Sequence, residues 1–325
     1  MSELINTIKV FAWRKYYIFC FWILVFIILL VTAAYLCGMI FYNGPFMQAG
    51  WGNGLLASIW TTVMAIIFFR IKLWKVRMLW WAVGIVIVVV PFLTICPSND
   101  KQWEAEYNRT GYASVDGDVV KLYNVRNFKH YSRDEFDEQW ESRTYRLSNL
   151  RGLDYIQSNF LGDLLAHPIL SFDFGEQGRI CLSVETRREV GEKFTPFGGL
   201  YKMFELQYLF ITEPDCIPLR TNIRKETVRR YTIDARPEKI REMFIASVKI
   251  QNELMESPRF YNVIHSNCTT SLRAQQPRPD RVPWDQRLLF NGRLDEYLYE
   301  QGMLQTEDDT FEELRQKAIV RGGLR

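Results

Sequence analysis

Histidine is scarce in this chain, and the arrangements of cysteine and glycine that bind metals or phosphates are missing. Three histidines occur in 325 residues, and no two cysteines form a CxxC pair. Zinc and related metals usually need clustered histidines or closely spaced cysteines, so we expect no metal site. A glycine-rich phosphate-binding loop is also missing. We therefore expect no cofactor.

A strong charge of one sign is missing too, since the formal net charge is only +3. This balance argues against a nucleic-acid partner. Hydrophobic residues make up 48% of the chain, which is typical of a folded or membrane-attached protein. The tail after Leu288 carries no repeat or low-complexity tract, and we assign it no chemistry.

The hydrophobic residues are concentrated near the N-terminus, in three runs without charge. These runs cover residues 17–41, 55–69 and 79–96. The first and third approach the roughly 20 residues that cross a bilayer, and the second is shorter. We predict a membrane anchor of three transmembrane helices in residues 1–97 and a second domain in residues 98–325.

Basic residues lie on one side of these predicted spans. They are Lys9, Arg14 and Lys15 before the first span, and Arg70, Lys72, Lys75 and Arg77 between the second and third. The loop of residues 42–54 has no lysine or arginine. The positive-inside rule then predicts a cytoplasmic N-terminus and a C-terminal domain in the periplasm, in a multi-pass protein of the bacterial inner membrane.

Cys268 lies in the most informative segment, residues 261–272, at a predicted helix start directly after Asn267. Asn is a good N-cap, and the free N–H groups and dipole of a first helical turn favour thiolate over thiol, as in an activated nucleophile. The alternative is a small buried apolar residue. The exported part has two other cysteines, so we expect Cys268 to be free and Cys181 and Cys216 to be buried or paired with each other.

A thiol nucleophile needs a base, and the three histidines are the candidates. His167 lies in a predicted strand, residues 166–174, which would hold its ring rigidly. His265 is near Cys268 in sequence, where it could accept a proton or orient the loop. His130 lies among charged residues, which indicates a solvated loop.

The exported segment predicts one α+β domain whose middle is dominated by strands. Asp116-Gly117-Asp118 is a hairpin turn signal between two predicted strands. The period of apolar residues predicts a helix over residues 237–256, and Cys268 begins the next helix. Strands are predicted at residues 112–115, 119–128, 143–147, 166–174, 179–185, 216–220 and 229–233. Residues 202–212 are predicted to form a strand or a helix-to-strand passage, and residues 151–165 a short helix.

The order of histidine strand, further strands, helix and cysteine reverses that of papain-like thiol enzymes, so it resembles the circularly permuted, lecithin:retinol acyltransferase-like branch of that superfamily. Several local sequences go further and look like the bacterial family named after the Lnb N-terminal periplasmic domain, over roughly Gly117 to Leu272. They are Arg126-Asn127-Phe128, Arg143-Thr144-Tyr145, Leu150-Arg151-Gly152-Leu153-Asp154, His167 with Ser171-Phe172, Ser183-Val184-Glu185-Thr186-Arg187-Arg188-Glu189 and Asn267-Cys268-Thr269-Thr270.

The resemblance implies a permuted papain-like domain with an antiparallel sheet and helices, and acyl transfer at the membrane, because Lnb proteins are lipoprotein N-acyltransferases. Cys268 would attack an acyl ester of a membrane phospholipid or lipoprotein and form a thioester, with His167 taking the thiol proton. Glu185 would fix the imidazole, or alternatively pair with a neighbouring arginine. Asn267 or the Cys268 backbone N–H would stabilise the oxyanion, with His265 as a supporting residue. Arg187 and Arg188 are candidates for binding an anionic head group.

Three other functions stay open at this point. The same residues could hydrolyse a lipid ester, or could act as a cysteine amidase or peptidase on cell-wall peptides. A non-catalytic binding protein would leave Cys268 and His167 too far apart to interact. A hydrophobic groove at Cys268 would favour the acyltransferase, and an open polar cleft would favour the amidase.

Overall fold

The computed structural model describes residues 2–46, 50–276, 281–307 and 309–321. The chain forms two compact units, Met1–Cys96 and Pro97–Arg325. Each unit has its own fold.

The first unit consists of three long apolar helices, as the hydrophobic runs predict. They are α1 (Ser2–Asn43), α2 (Trp51–Arg70) and α3 (Trp74–Thr94). The stretches long and apolar enough to cross a membrane are Tyr16–Asn43, Trp51–Arg70 and Trp74–Thr94. The side chains of Lys9, Arg14 and Lys15 lie outside the described residues, and the cytoplasmic N-terminus stays a prediction.

Large apolar side chains point outward from these helices. Phe26 is 59% exposed, Ile59 52% and Val86 55%. Two of the helices make close contact at Gly84. The Trp60 indole donates to the carbonyl of Gly84, and a Cβ at this position would collide with Met64. Apolar surface of this extent suits a lipid environment and not water.

The second unit is built on an eight-stranded sheet. Its strands are β1 (Tyr112–Asp116), β2 (Val119–Arg126), β5 (Trp140–Arg146), β6 (Gly152–Leu161), β7 (Leu165–Asp173), β8 (Arg179–Arg187), β9 (Glu205–Thr212) and β10 (Thr227–Thr232), with a separate pair β3 (Lys129–His130) and β4 (Phe136–Asp137). The spatial order is β1-β2-β9-β8-β7-β6-β10, and β5 also pairs with β2. Gly117 closes the predicted hairpin with a φ of 55°, a left-handed conformation that favours glycine.

The sheet is antiparallel, as expected, except for one parallel pairing that makes it mixed. β2 and β9 pair in parallel at Arg126 and Ile211, and the other strand pairs of the sheet are antiparallel. Four of the eight strands, β5 to β8, lie between β2 and β9 along the chain, so local sequence patterns cannot reveal this long-range pairing.

Helices cover both faces of the sheet. They are α4 (Glu213–Pro218), α5 (Pro237–Glu256), α6 (Cys268–Gln275), α7 (Leu294–Glu300) and α8 (Phe311–Lys317). On one face, Phe244 of α5 packs edge-on against Phe172 of β7. On the other, Cys216 of α4 joins a buried cluster with Ile169 and Cys181. The second unit is therefore an α+β domain, as predicted.

Two local predictions were wrong. Residues 152–161 form the strand β6 instead of a helix. Gln157 and Asn159 are buried and donate to the carbonyl of Gly292, so this segment lacks the apolar alternation by which a strand is recognised in a sequence. Residues 216–218 lie in α4 and residues 219–220 in the π-helical turn Leu219–Ile223, so no strand forms there. The helices at Pro237–Glu256 and from Cys268 onward are confirmed.

Candidate active site

Cys268 is the first residue of α6, and a capping box fixes that helix start. The Asn267 side chain accepts from the backbone N–H of Thr270 at 2.7 Å, and the Thr270 hydroxyl accepts from the N–H of Asn267 at 3.0 Å. This reciprocal pair satisfies two N–H groups that helices otherwise leave open. The Asn267 amide also donates to the carbonyl of Val263. Asn267 is thus a helix cap, and the Cys268 thiol sits at the positive end of α6.

His167 and Glu185 meet because of the register between β7 and β8. Ile169 pairs with Ser183 in this antiparallel ladder. When this register is continued two residues back along β7 and two residues forward along β8, His167 lies opposite Glu185. Both then lie on the same face of the sheet as Ser183. The imidazole Nε2 and the Glu185 Oε1 are 3.3 Å apart.

Ser183 links these two side chains. Its hydroxyl donates to Glu185 Oε1 at 2.5 Å and lies 2.6 Å from His167 Nε2. A hydroxyl has one proton, so the Ser183 oxygen accepts from the N–H at Nε2. Nδ1 is then the nitrogen left to interact with the Cys268 thiol, which contacts the imidazole. Sequence reasoning did not identify Ser183.

Charge controls the protonation of this group. Burial alone lowers the pKa of His167, but the negative charge of Glu185 and the hydrogen bonds that the imidazole donates to Cys268 and Glu185 outweigh burial and raise that pKa to about 9. Burial acts to raise the pKa of Glu185, and the charge of His167 overrides it and lowers that pKa well below its ordinary value. His167 and Glu185 therefore form an ion pair at neutral pH.

Arg220 is a second counter-charge for Glu185. Its guanidinium is 2% exposed and donates to Glu185 Oε1 at 3.3 Å, to Ser183 at 3.5 Å and to the carbonyl of Cys216 at 3.1 Å. A buried carboxylate between two cations keeps its charge. Arg220 therefore fixes the acid that orients His167.

Two further side chains contact the thiol. The Tyr261 hydroxyl interacts with the backbone N–H and side chain of Cys268, and burial raises the pKa of Tyr261 well above its ordinary value, so the phenol stays protonated. The Asn291 amide donates to Thr269 Oγ1 at 2.9 Å and lies 3.8 Å from Cys268 Sγ, while its carbonyl accepts from the N–H of Ala166. Asn291 thus joins the histidine strand to the cysteine helix. It lies in the tail to which the sequence assigned no chemistry.

A cavity of about 810 Å³ opens onto Cys268, His167 and Glu185. Part of its wall is apolar: Phe160, Leu165, Phe194, Pro196, Val263 and Leu289. Another part is charged and contains Arg188 and Arg224, which both lie beside Glu106 at 3.6 and 3.5 Å. A site of this size and mixed lining suits an amphiphilic molecule.

Of the other predicted site residues, one lines this cavity and two do not. His265 is exposed outside this cavity, and its backbone N–H donates to Asn262. Arg187 is buried under Trp103 and donates to the carbonyl of Tyr107, so of the two predicted head-group arginines only Arg188 lines the cavity.

His130 is not solvated as expected. Its side chain is 3% exposed and lies 3.0 Å from Asp215, which also holds Arg126. Short-range charge patterns cannot reveal this contact, because Asp215 is far away in sequence.

The three cysteines of the second unit are free. Cys181 and Cys216 are fully buried in one core cluster, whereas Cys268 lines the cavity. Cys268 is therefore free, as predicted, and of the two alternatives for Cys181 and Cys216 the structure shows burial without a disulfide. Among the described residues, no group of histidine, cysteine and acidic side chains is arranged to hold a metal ion.

Residues 136–292 match the family model described as the Lnb N-terminal periplasmic domain. This confirms the family resemblance seen in the sequence, although the matched segment begins after Gly117 and runs beyond Leu272 to include Asn291. Arg126-Asn127-Phe128 lies outside it. Neither a curated protein nor a solved structure matches the chain. Together with three candidate spans, the match describes a membrane protein with a periplasmic domain.

Proposed function

We propose, from the premise that residues 136–292 form an Lnb N-terminal periplasmic domain, that the protein is a membrane-anchored thiol acyltransferase. The observation that carries this proposal is that Cys268 lines one cavity together with a histidine that Ser183 and Glu185 orient. A nucleophile at a helix start, a base beside it and a carboxylate behind the base are the parts that covalent acyl transfer needs. A binding protein needs none of them.

In the first half of the reaction, the Cys268 sulfur attacks the carbonyl carbon of a lipid ester. The reacting form is the Cys268 thiolate beside the His167 imidazolium, since the ion pair with Glu185 keeps the proton on His167. The C–S bond forms, and the ester C–O bond breaks. The proton then passes from His167 to the departing alkoxide, which leaves as an alcohol. The Tyr261 hydroxyl and the backbone N–H of Cys268 would stabilise the oxyanion, because both lie beside the nucleophile.

In the second half, an amine attacks the thioester. The C–N bond forms, the C–S bond breaks, and His167 accepts the proton of the amine. A lipoprotein N-terminus is the acceptor that the family match supports. Water in place of the amine gives a fatty acid, so the same site acts as a lipid hydrolase when no acceptor is bound.

The cavity supports a lipid as the donor. Its apolar wall offers an alkyl chain a place to leave water. Arg188 and Arg224 carry charge that suits the phosphate of a head group, although both also pair with Glu106. A cell-wall peptide has much less apolar surface than a lipid to place against this wall, so we favour acyl transfer over peptide cleavage.

The test is intact-protein mass spectrometry of the full chain in phospholipid nanodiscs. Wild type should gain the mass of one acyl chain, and Cys268→Ser should lose the thioester. His167→Ala should form it at least 100-fold more slowly, in line with the ~10²–10⁴-fold typical of a general base. Addition of a diacylglyceryl peptide with a free N-terminal amine should discharge the thioester and give an amide.

Matched controls separate chemistry from folding. Cys96→Ser removes an exposed cysteine and His265→Ala an exposed histidine, and both should acylate like wild type. An adduct that persists in Cys268→Ser, or the absence of any adduct together with cleavage of cell-wall peptides, would overturn the proposal.

A further inference from the structure

A second cavity of about 630 Å³ lies between the sheet and α5, α6 and α7, apart from the one that holds the thiol. Its walls include Leu170 of β7, Met243 and Ala246 of α5, Leu272 of α6 and Leu298 of α7. The volume falls within the roughly 300–1,000 Å³ of small-molecule sites. An apolar cavity of this size leaves its lining atoms without contacts and is a poor site for water.

The polar groups that reach this second cavity are already engaged within the protein. The Tyr297 hydroxyl donates to the carbonyl of Pro283, and Arg273 donates to the carbonyl of Val282. The Gln275 side chain binds Tyr208 and Ser247. A ligand would thus find aliphatic surface and few free hydrogen-bonding groups, which selects an alkyl chain over a sugar or peptide.

The mouth of the second cavity is charged, in contrast to its interior. Arg236, Lys239 and Glu242 lie there at the start of α5. Lys239 and Glu242 pair with each other at 3.0 Å. An occupant with an apolar chain and a polar end can bury the chain and leave the polar end in water.

The second cavity also adjoins the catalytic helix. Thr269 and Tyr155 line it, while Cys268 and Asn291 line the first cavity. The hydrogen bond from Asn291 to Thr269 crosses the wall between the two spaces. The two cavities therefore share one thin wall, built around the first turn of α6.

We propose that the second cavity binds one alkyl chain of a membrane lipid. The chain comes either from a diacyl phospholipid or from an unesterified fatty acid. Binding there needs no reaction at Cys268, so the inference stands apart from the acyl-transfer proposal. A chain in contact with Thr269 and Leu272 stabilises the helix that carries the thiol.

The test uses photoreactive lipids on the full chain in nanodiscs of phosphatidylglycerol and phosphatidylethanolamine. One arm contains a fatty acid with a diazirine in its chain, and the other a phosphatidylglycerol with a diazirine in one acyl chain. After illumination, peptide mass spectrometry should find adducts on the cavity side of α5, α6 and α7. Adducts in one arm or in both support an alkyl-chain site, and the arm identifies the source.

Ala246→Trp fills the cavity and should abolish these adducts. Lys249→Trp adds the same side chain on the exposed face of α5 and should retain them. An excess of unlabelled lipid should suppress labelling of wild type, which tests the site even if Ala246→Trp does not fold. Cys268→Ala should label like wild type whether or not the protein is an acyltransferase. Adducts confined to the transmembrane helices or the first cavity, or adducts that persist unchanged in a folded Ala246→Trp, would refute the inference.

Discussion

Replacement of Glu185 by Gln should move the titration of His167 from alkaline to acidic pH. The charge of Glu185 is the largest contribution that raises the pKa of His167 to about 9, while burial and the charge of Arg220 both lower it. The amide keeps the size of the carboxylate and removes its charge. We therefore expect the pKa of His167 in Glu185→Gln to fall below its ordinary 6.5.

The same substitution should change how stability depends on pH. A histidine whose pKa rises from 6.5 to about 9 on folding gives its full stabilisation below pH 6.5 and loses it as pH climbs through 9. At ~1.36 kcal/mol per pH unit, that contribution is ~3 kcal/mol. At ~2–4 °C per kcal/mol for a domain of this size, the melting temperature of wild type should drop by ~6–12 °C over this interval. Glu185→Gln should lack this alkaline drop.

The assay is NMR of the full chain with ¹³C-labelled histidine, combined with thermal unfolding between pH 6 and pH 9.5. Only three histidines contribute signals, and His167→Gln assigns the relevant one. Glu192→Gln makes the same change at another buried glutamate of the cavity and should leave the His167 titration near 9. A wild-type His167 that titrates near 6.5, or a Glu185→Gln variant that still titrates near 9, would refute the ion-pair assignment.

Three further variants test the residues that support the site. Arg220→Met removes a buried partner of Glu185, so it should destabilise the protein by ~3–5 kcal/mol and raise the pKa of His167 further, as urea unfolding and the same NMR titration would show. Asn267→Ala should cost ~1 kcal/mol and slow thioester formation at Cys268, whereas Asn267→Ser, which can cap the helix, should recover most of both; equal loss in the two variants would count against the capping role. Asn291→Ala should cost ~1–3 kcal/mol and slow acylation, and Asn291→Asp, which keeps the acceptor for a backbone N–H, should recover stability but not rate; full activity in Asn291→Ala would exclude it as a positioning residue.

Some features of this protein can be predicted from its sequence, because they depend only on residues close together in the chain. Runs of uncharged apolar residues predict three long helices, because length and apolar composition alone identify a segment that can cross a membrane. The capping signal of Asn267 predicts that a helix begins at Cys268, since the capping box uses only residues three apart. The scarcity of histidine reduced the search for a base to three positions.

The tertiary structure alone decided which residues accompany the thiol. Ser183 and Arg220 carry no local signal, because the contact of Ser183 with His167 needs the β7–β8 register and the contact of Arg220 with Glu185 needs the packing of the α4 segment on the sheet. Asn291 lies in a tail whose sequence shows no motif. Its contact with α6 appears only when the tail packs against that helix. The sequence by itself determined the three apolar helices, the helices at Pro237–Glu256 and from Cys268 onward, and most of the strands, because these depend on neighbours within a few residues. Only the folded chain decided the charge network and the two cavities, because each is made of side chains that long-range pairing brings together.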